Sequence, residues 1–310
     1  MIKLGIIGQP LSVISHLQAS GYMNEIIWTG FFSEKAGEPG RFFSLVPQFA
    51  NAEQLISASD AIILSESRIE YYNLAVMALK QARHVFLPVT LLETVAEANK
   101  LIKLASESNV ILNVYKSGIL PADFRKRIDF KENIWLMELH HFARVTGGNP
   151  GKNLFMNLLH DLDFILGLTR SNVVSIKAAG LNMISNVVDI INARIDFDNG
   201  CTATLTCNCA SVNDEHTGTV VLKDKIIYID FIREDASIWN FNRSDRIRES
   251  IITNKISFHH DDDFGEELLS FFTLLNDKNR QLVNSEDGFR PFILATKIMD
   301  RVNRNTVRSA

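Results

Sequence analysis

The sequence predicts an α/β protein in two parts: a parallel sheet of the nucleotide-binding type, then an α/β domain with a large, mostly antiparallel open sheet. Three observations predict it. Over the first third, short apolar runs alternate with helical stretches, as strands buried on both faces and joined by crossover helices do. After about residue 116 the strands lengthen and alternate polar with apolar residues, as in a sheet with one covered face. And 310 residues exceed what one core usually serves. The expected domains are 1–118 and 119–310, with the terminal helix packing back on the first.

The elements follow in order. Residues 2–7 (IKLGII), 26–32, 61–64, 84–87 and 110–114 read as buried strands. Helices are expected at 70–82 and 91–107. In the second of these, Val95, Ala98, Ile102 and Ala105 share a face, and Thr90 with Glu93 forms a capping box. The segment KSGILPADF, with Gly118 and Pro121, reads as the crossover. A strand at 133–143 and a helix at 153–168 open the second domain. Residues 190–210 form two strands around an Asp198-Asn199-Gly200 turn. In the second of these strands Thr202, Thr204, Thr206 and Asn208 face one way. Cys201, Ala203, Leu205, Cys207 and Cys209 face the other. The threonine-rich face is expected to be a subunit interface, giving a homo-oligomer (dimer or tetramer) through the C-terminal sheet. Strand sequence follows at 219–231 and 250–258, then helices at 264–276 and 287–303, the first opened by Asp263 and Glu266.

Composition narrows the function classes. The chain is 46% apolar and 22% charged, which excludes a disordered or low-complexity protein. Charge is 32 − 36 = −4, with no extended basic cluster, so no nucleic-acid partner is expected. No apolar run reaches the roughly eighteen residues of a membrane span, and MIKLGIIGQ enters a strand directly, so no signal peptide is expected. Three cysteines point to a reduced, cytoplasmic chain.

The first strand runs into Gly8-Gln9-Pro10-Leu11 and then a helix. This is where dinucleotide folds place the pyrophosphate, against the amides of a helix N-terminus. Gly8 suits the first glycine of G-x-G-x-x-G, whereas Pro10 stands at the second and Val13, expected to crowd helix against strand, at the third. At the end of strand two Ser33 holds the place of the ribose-binding acid, with Lys35 near enough for a 2′-phosphate. Ser65 and Ser67 lie in the next loop, where Glu66 would repel a pyrophosphate unless Arg68 offsets it.

Several segments resemble the glucose–fructose oxidoreductase / inositol dehydrogenase family (Gfo/Idh/MocA). QARHVFLPVTLLETVAEANKLIKLASESNVILNV is similar to its "G-K-H-V-F-x-E-K-P" segment, and LFMNLLHDLDFILGL to its "D-L-x-x-H-D-x-D" helix. DIINARIDFDNGCTATLTC resembles its "A-x-x-x-F-x-N-G" strand pair, and SEDGFRPFILATKI its C-terminal "G-x-D-G-x-x-A" helix. The resemblance runs from residue 2 to about 303. It implies a Rossmann domain, an open-sheet domain used for oligomerisation, and NAD- or NADP-dependent oxidation or reduction of sugars, cyclitols or nucleotide sugars. It also places Pro88 beside the cofactor.

The family's proton handling uses the Lys of E-K-P with an Asp and a His four residues apart on one helix face. Pro88, Val89 and Thr90 stand at E-K-P, Met156 stands at the Asp, and His160 alone is kept. Lys116 is the candidate replacement base. Asp161 and Asp163 are expected to make polar contacts at the domain junction. No metal site is expected. His259-His260-Asp261-Asp262-Asp263 are consecutive and do not converge on one ion, His140 and His141 point to opposite strand faces, and Cys207 and Cys209 read as core thiols. Three functions stay open: an oxidoreductase with a degenerate catalytic set, an inactive nucleotide- or sugar-binding sensor or partner subunit, and a structural subunit associating through its sheet.

Overall fold

A computed structural model describes residues 1–20, 26–34, 46–115, 133–145, 150–241, 251–258, 263–277 and 285–305. The chain forms two compact units, one of Met1–Ser117 with Asp262–Arg290, the other of Gly118–Asp261 with Pro291–Ala310. No helix among the described residues is long and apolar enough to cross a membrane.

In the first unit β1 (Ile2–Ile7), β2 (Ile26–Phe32), β3 (Ala61–Leu64), β4 (His84–Pro88) and β5 (Leu112–Tyr115) form a five-stranded sheet of order β2-β1-β3-β4-β5. Every pairing is parallel. The crossovers include α1 (Pro10–Ser20), α2 (Ala52–Ala58), α3 (Ile69–Lys80) and α4 (Val95–Glu107). Leu4 and Ile6 of β1 pack with Val13, Ile14 and Leu17 of α1 in a core that also holds Leu268, Phe271 and Phe272 of α6 (Asp263–Asn276). Each such side chain contributes about 1.5–3 kcal/mol of burial. Val13 therefore fills this core rather than crowding it.

Helix α4 departs from the expected start. Val89–Leu91 forms a 3₁₀ turn with Val89 and Leu91 buried, so Thr90 caps nothing. The capping box is Thr94 with Glu97: Glu97 N–H donates to Thr94 Oγ1 at 3.2 Å, and Thr94 N–H to Glu97 Oε2 at 3.1 Å. Such a cap is worth about 1 kcal/mol. The apolar pull of Leu91 and Leu92 into the core delays the helix by one turn. Its buried face is Ala98, Leu101 and Ala105, with Val95 and Ile102 only half-buried.

The second unit is built on an eight-stranded sheet of order β13-β12-β11-β10-β6-β9-β8-β7. Its strands are β6 (Leu136–Arg144), β7 (Val173–Leu181), β8 (Ile190–Phe197), β9 (Thr202–Ser211), β10 (Glu215–Val221), β11 (Lys225–Asp230), β12 (Asp235–Phe241) and β13 (Ile251–Ser257). Only β6 with β9 is parallel; the other pairs are antiparallel. The β8–β9 turn falls at Asp198–Gly200 with Gly200 at φ 84°, a backbone that favours glycine. Residues 219–231 split into β10 and β11, because Leu222–Asp224 turn the chain. Two strands, β7 and β12, were not expected from the pattern, since neither VVSIKAAGL nor DASIWNF keeps an unbroken polar–apolar alternation.

Helix α5 (Pro150–Thr169) packs on β9 and β6. Its buried stripe is Leu154, Leu158, Asp161, Leu162 and Ile165, spaced for one helical face. Helix α7 (Ser285–Asn305) closes the described chain. Cys201, Cys207 and Cys209 are free and buried, as expected of core thiols.

Candidate functional site

Strand order in the first unit turns at β1, with β2 on one side and β3 on the other. In an open parallel sheet that is where ligands bind, outside the carboxyl ends of the strands. The loops after β1, β2, β3 and β4 meet there. Gly8 has φ 112°, and its N–H donates to Phe32 O at 2.9 Å. An added Cβ at Gly8 would lie 2.7 Å from Ser65 Oγ and 3.2 Å from Glu66 Cγ. The turn is thus pressed against the loop after β3, and only glycine suits it.

That loop is the hub of the rim. Ser65 N–H donates to Ile7 O at 3.0 Å and Ser65 Oγ to Gln9 O at 2.9 Å. Ser67 Oγ is hydrogen-bonded to Thr90 Oγ1, tying the loop to the end of β4. Arg68 Nη2 pairs with Glu34 Oε2 at 2.7 Å, tying it to the end of β2. Arg68 therefore serves Glu34, with Glu70 at 4.0 Å.

The donor set fits a dinucleotide pyrophosphate. Pro10 is the first residue of α1, where its missing N–H forfeits no intrahelical bond, and the amides of the following first turn have no helical acceptor. Gln9 and Leu11 are exposed beside it. At the tip of β2, Ser33 is followed by Glu34, the carboxylate in the region where a ribose-binding acid was sought. Lys35 lies outside the described residues, as do Lys116, the 116–124 crossover, the Arg125–Arg127 run and His259–Asp262. Pro88 is half-buried at the end of β4, and Val89 is 2% exposed. An aliphatic core residue thus stands where the resemblance calls for an ammonium.

In the second unit His160 and Met156 lie one turn apart on α5, both half-buried. His160 Nε2 is buried with no hydrogen-bond partner among the described residues. Burial lowers the His160 pKa, which Asp161 and Asp163 raise and His141 and His216 lower further; the outcome is a neutral imidazole at pH 7.

The neighbouring Asp161 was expected at the domain junction. It lies instead inside the second unit, 0% exposed, between α5 and the sheet. His216 Nε2 is 2.9 Å and His141 Nδ1 3.3 Å from its Oδ1, and Cys207 Sγ donates to its Oδ2 at 3.3 Å. Burial would raise the Asp161 pKa, but the hydrogen bonds from the two histidines outweigh it and hold the carboxyl well below its usual range. His140 is exposed on the opposite strand face, as expected.

Sequence reasoning missed this cluster and the Glu34–Arg68 pair. A signal for the first existed. Asp161 falls in the apolar stripe of α5, and His141 falls in phase with the buried Met137 and Leu139 of β6. A charge at an apolar position demands a partner.

No family model matches the chain. It is 21% identical over 244 residues, 77% of each chain, to the UDP-N-acetylglucosamine 3-dehydrogenase of Acidithiobacillus ferrooxidans. The solved structure of UDP-N-acetylglucosamine 3-dehydrogenase GnnA from that organism matches with a TM-score of 0.78 at 17% identity over 98% of both chains. A dehydrogenase (MviM) from Clostridium difficile matches with a TM-score of 0.76 at 18% identity, over 97% of this chain and 99% of that one. Levoglucosan dehydrogenase, in complex with NADH and levoglucosan, matches with a TM-score of 0.76 at 14% identity, over 98% and 97%. At such identities the likeness establishes the fold, a parallel Rossmann-type sheet with a larger open-sheet partner.

Proposed function

We propose that the protein is a divergent Gfo/Idh/MocA-type oxidoreductase that binds NAD or NADP and acts on a CH–OH group of a sugar, cyclitol or nucleotide sugar. The observation that carries the reading is the Gly8 turn. It has positive φ and stands at the switch point of a parallel sheet, opening directly into the α1 N-terminus. The dehydrogenases similar to it in sequence and fold support the same class.

Gly8, Gln9, Pro10 and Leu11 would hold the pyrophosphate on first-turn amides. Ser33 and Glu34 would face the adenosine ribose, and Ser65, Ser67 and Pro88 would flank the dinucleotide. When bound, the nicotinamide accepts or returns a hydride. The chain's own task is the accompanying proton, for which His160, held neutral by burial, has a free lone pair. Met156 offers no carboxylate and Val89 no ammonium. A positioned acid or base contributes about 10²–10⁴-fold, so turnover is expected to be slow.

The burial of Val89 also favours a second reading, a protein that binds dinucleotide and sugar without turnover, as a sensor or partner subunit. Calorimetric titration with NAD(H) and NADP(H), beside reduced-nicotinamide absorbance across a sugar panel containing UDP-N-acetylglucosamine, separates the two. Binding with turnover supports the first and binding alone the second. Failure to bind any of the four dinucleotides overturns both.

A further inference from the structure

We propose that Asp161 is a positioning residue for His160: its carboxylate, shared with the His141–His216 pair, locks α5 to three adjacent strands and so fixes where the neighbouring imidazole stands. The inference rests on the proposed role of His160 and adds to it the device that holds His160 in place.

The geometry is a single row. His216 of β10 pairs in register with His141 of β6, and His141 pairs in register with Cys207 of β9. Those three strands are neighbours near the middle of the sheet. Asp161 reaches all three from above, with each of its oxygens engaged. Its partners are 20, 46 and 55 residues away in sequence, so the contact is wholly tertiary. Successive residues of an α-helix point about 100° apart. Once Asp161 is fixed against the row, the rotation of α5 is fixed, and His160 can face only one direction.

The row also carries a charge. A fully buried carboxylate needs a counter-charge, and the two imidazoles stack at 3.8 Å with planes 17° apart. Both rings present a nitrogen to the same oxygen, Asp161 Oδ1. Asp161, His141 and His216 all act electrostatically on His160, together with Asp163 on its own helix. The Cys207 thiol, raised well above its ordinary range by burial and then by Asp161, stays protonated and only donates.

The His141, Asp161 and His216 ligand atoms lie within 4.8 Å of one another. That spacing also invites a metal. Both ring nitrogens already converge on Asp161 Oδ1, however, so an ion would have to displace the carboxylate oxygen from the place it holds.

The test is a pH titration of histidine ring resonances in the full chain labelled with [13C]histidine, with His160 assigned through His160→Gln. The variants are Asp161→Asn, His141→Gln and His216→Gln. The two glutamines can still donate to the carboxylate but carry no charge, so they keep the test alive if the asparagine variant does not fold. The expected result is a His160 midpoint that rises in both glutamine variants and falls in Asp161→Asn. Where the wild type turns over, Asp161→Asn is expected to lose about 10²-fold in kcat with little change in KM, as misplaced catalytic groups do. Lowered thermal stability with an unmoved His160 midpoint in folded variants would mean a purely structural cluster and overturn the proposal. Stoichiometric zinc uptake that abolishes the His141 and His216 titrations would overturn it too. A wild type without turnover removes the catalytic reading of His160 but leaves its midpoint readable, so the two failures are distinguishable.

Discussion

Replacing Gly8 with alanine tests the rim at its tightest point. The residue sits at φ 112°, a backbone that costs a non-glycine residue about 1–3 kcal/mol. The new Cβ would lie 2.7 Å from Ser65 Oγ, so the hydroxyl must swing away and give up its bond to Gln9 O, a further loss of about 0.5–1.5 kcal/mol. Together these predict a destabilisation of about 1.5–4.5 kcal/mol, which for a unit of this size lowers Tm by roughly 3–18 °C. Thermal unfolding followed by circular dichroism reads the shift, and dinucleotide titration reads the accompanying loss of affinity. A cycle with Ser65→Ala isolates the second contribution. Alone, Ser65→Ala should cost about 0.5–1.5 kcal/mol, whereas in the Gly8→Ala background it should cost nothing or stabilise. A Gly8→Ala protein whose Tm stays within about 1 °C of wild type would refute the reasoning, and so would strictly additive penalties.

Four further outcomes are expected. All three cysteines are buried, and burial pushes Cys201 and Cys209 up to about 11; the native protein should therefore show no thiol reactive to a disulfide reagent at pH 8, and three once denatured. Asp161 has a folded pKa below its unfolded value, so its contribution is whole above about pH 4 and is lost as pH falls below that. Asp161→Ala should cost about 3–5 kcal/mol at pH 7, and below pH 4 its stability should decline less steeply than that of the wild type in denaturant titrations. Glu34→Gln releases Arg68 from its 2.7 Å ion pair and should shift dinucleotide preference toward NADP; isotherms with an unchanged NAD-to-NADP ratio would sink that idea. Thr204→Arg with Thr206→Arg should disperse an oligomer built on the open sheet face, and a wild-type monomer by light scattering at micromolar concentration would remove the interface altogether.

The legibility of the fold varied with the kind of signal. Uniformly apolar runs such as AIIL at 61–64 and the Asn199-Gly200 hairpin were found nearly to the residue, since burial on two faces and a positive-φ turn leave local marks. β7 and β12 escape the pattern because VVSIKAAGL sets valine beside valine and alanine beside alanine, and DASIWNF sets Ile238 beside Trp239, so neither keeps an unbroken polar–apolar alternation in sequence. The start of α4 was misplaced by one turn. Two adjacent cap-like pairs, Thr90 with Glu93 and Thr94 with Glu97, looked alike until the burial of Leu91 chose between them.

The candidate site divides along the same line. Local order alone located the Gly8 turn, because a strand, a glycine and a helix start are contiguous in the chain. The resemblance to Gfo/Idh/MocA proteins sets Val89 and Met156 at the positions of that family's lysine and aspartate. Only the tertiary structure decided what Arg68 pairs with and what Asp161 holds. The partners of Asp161 come from three different strands, and strand register brings His216, His141 and Cys207 into one row. A buried charge is stabilised by whatever the folded chain brings within about 3 Å of it, and no pattern along the sequence states that distance.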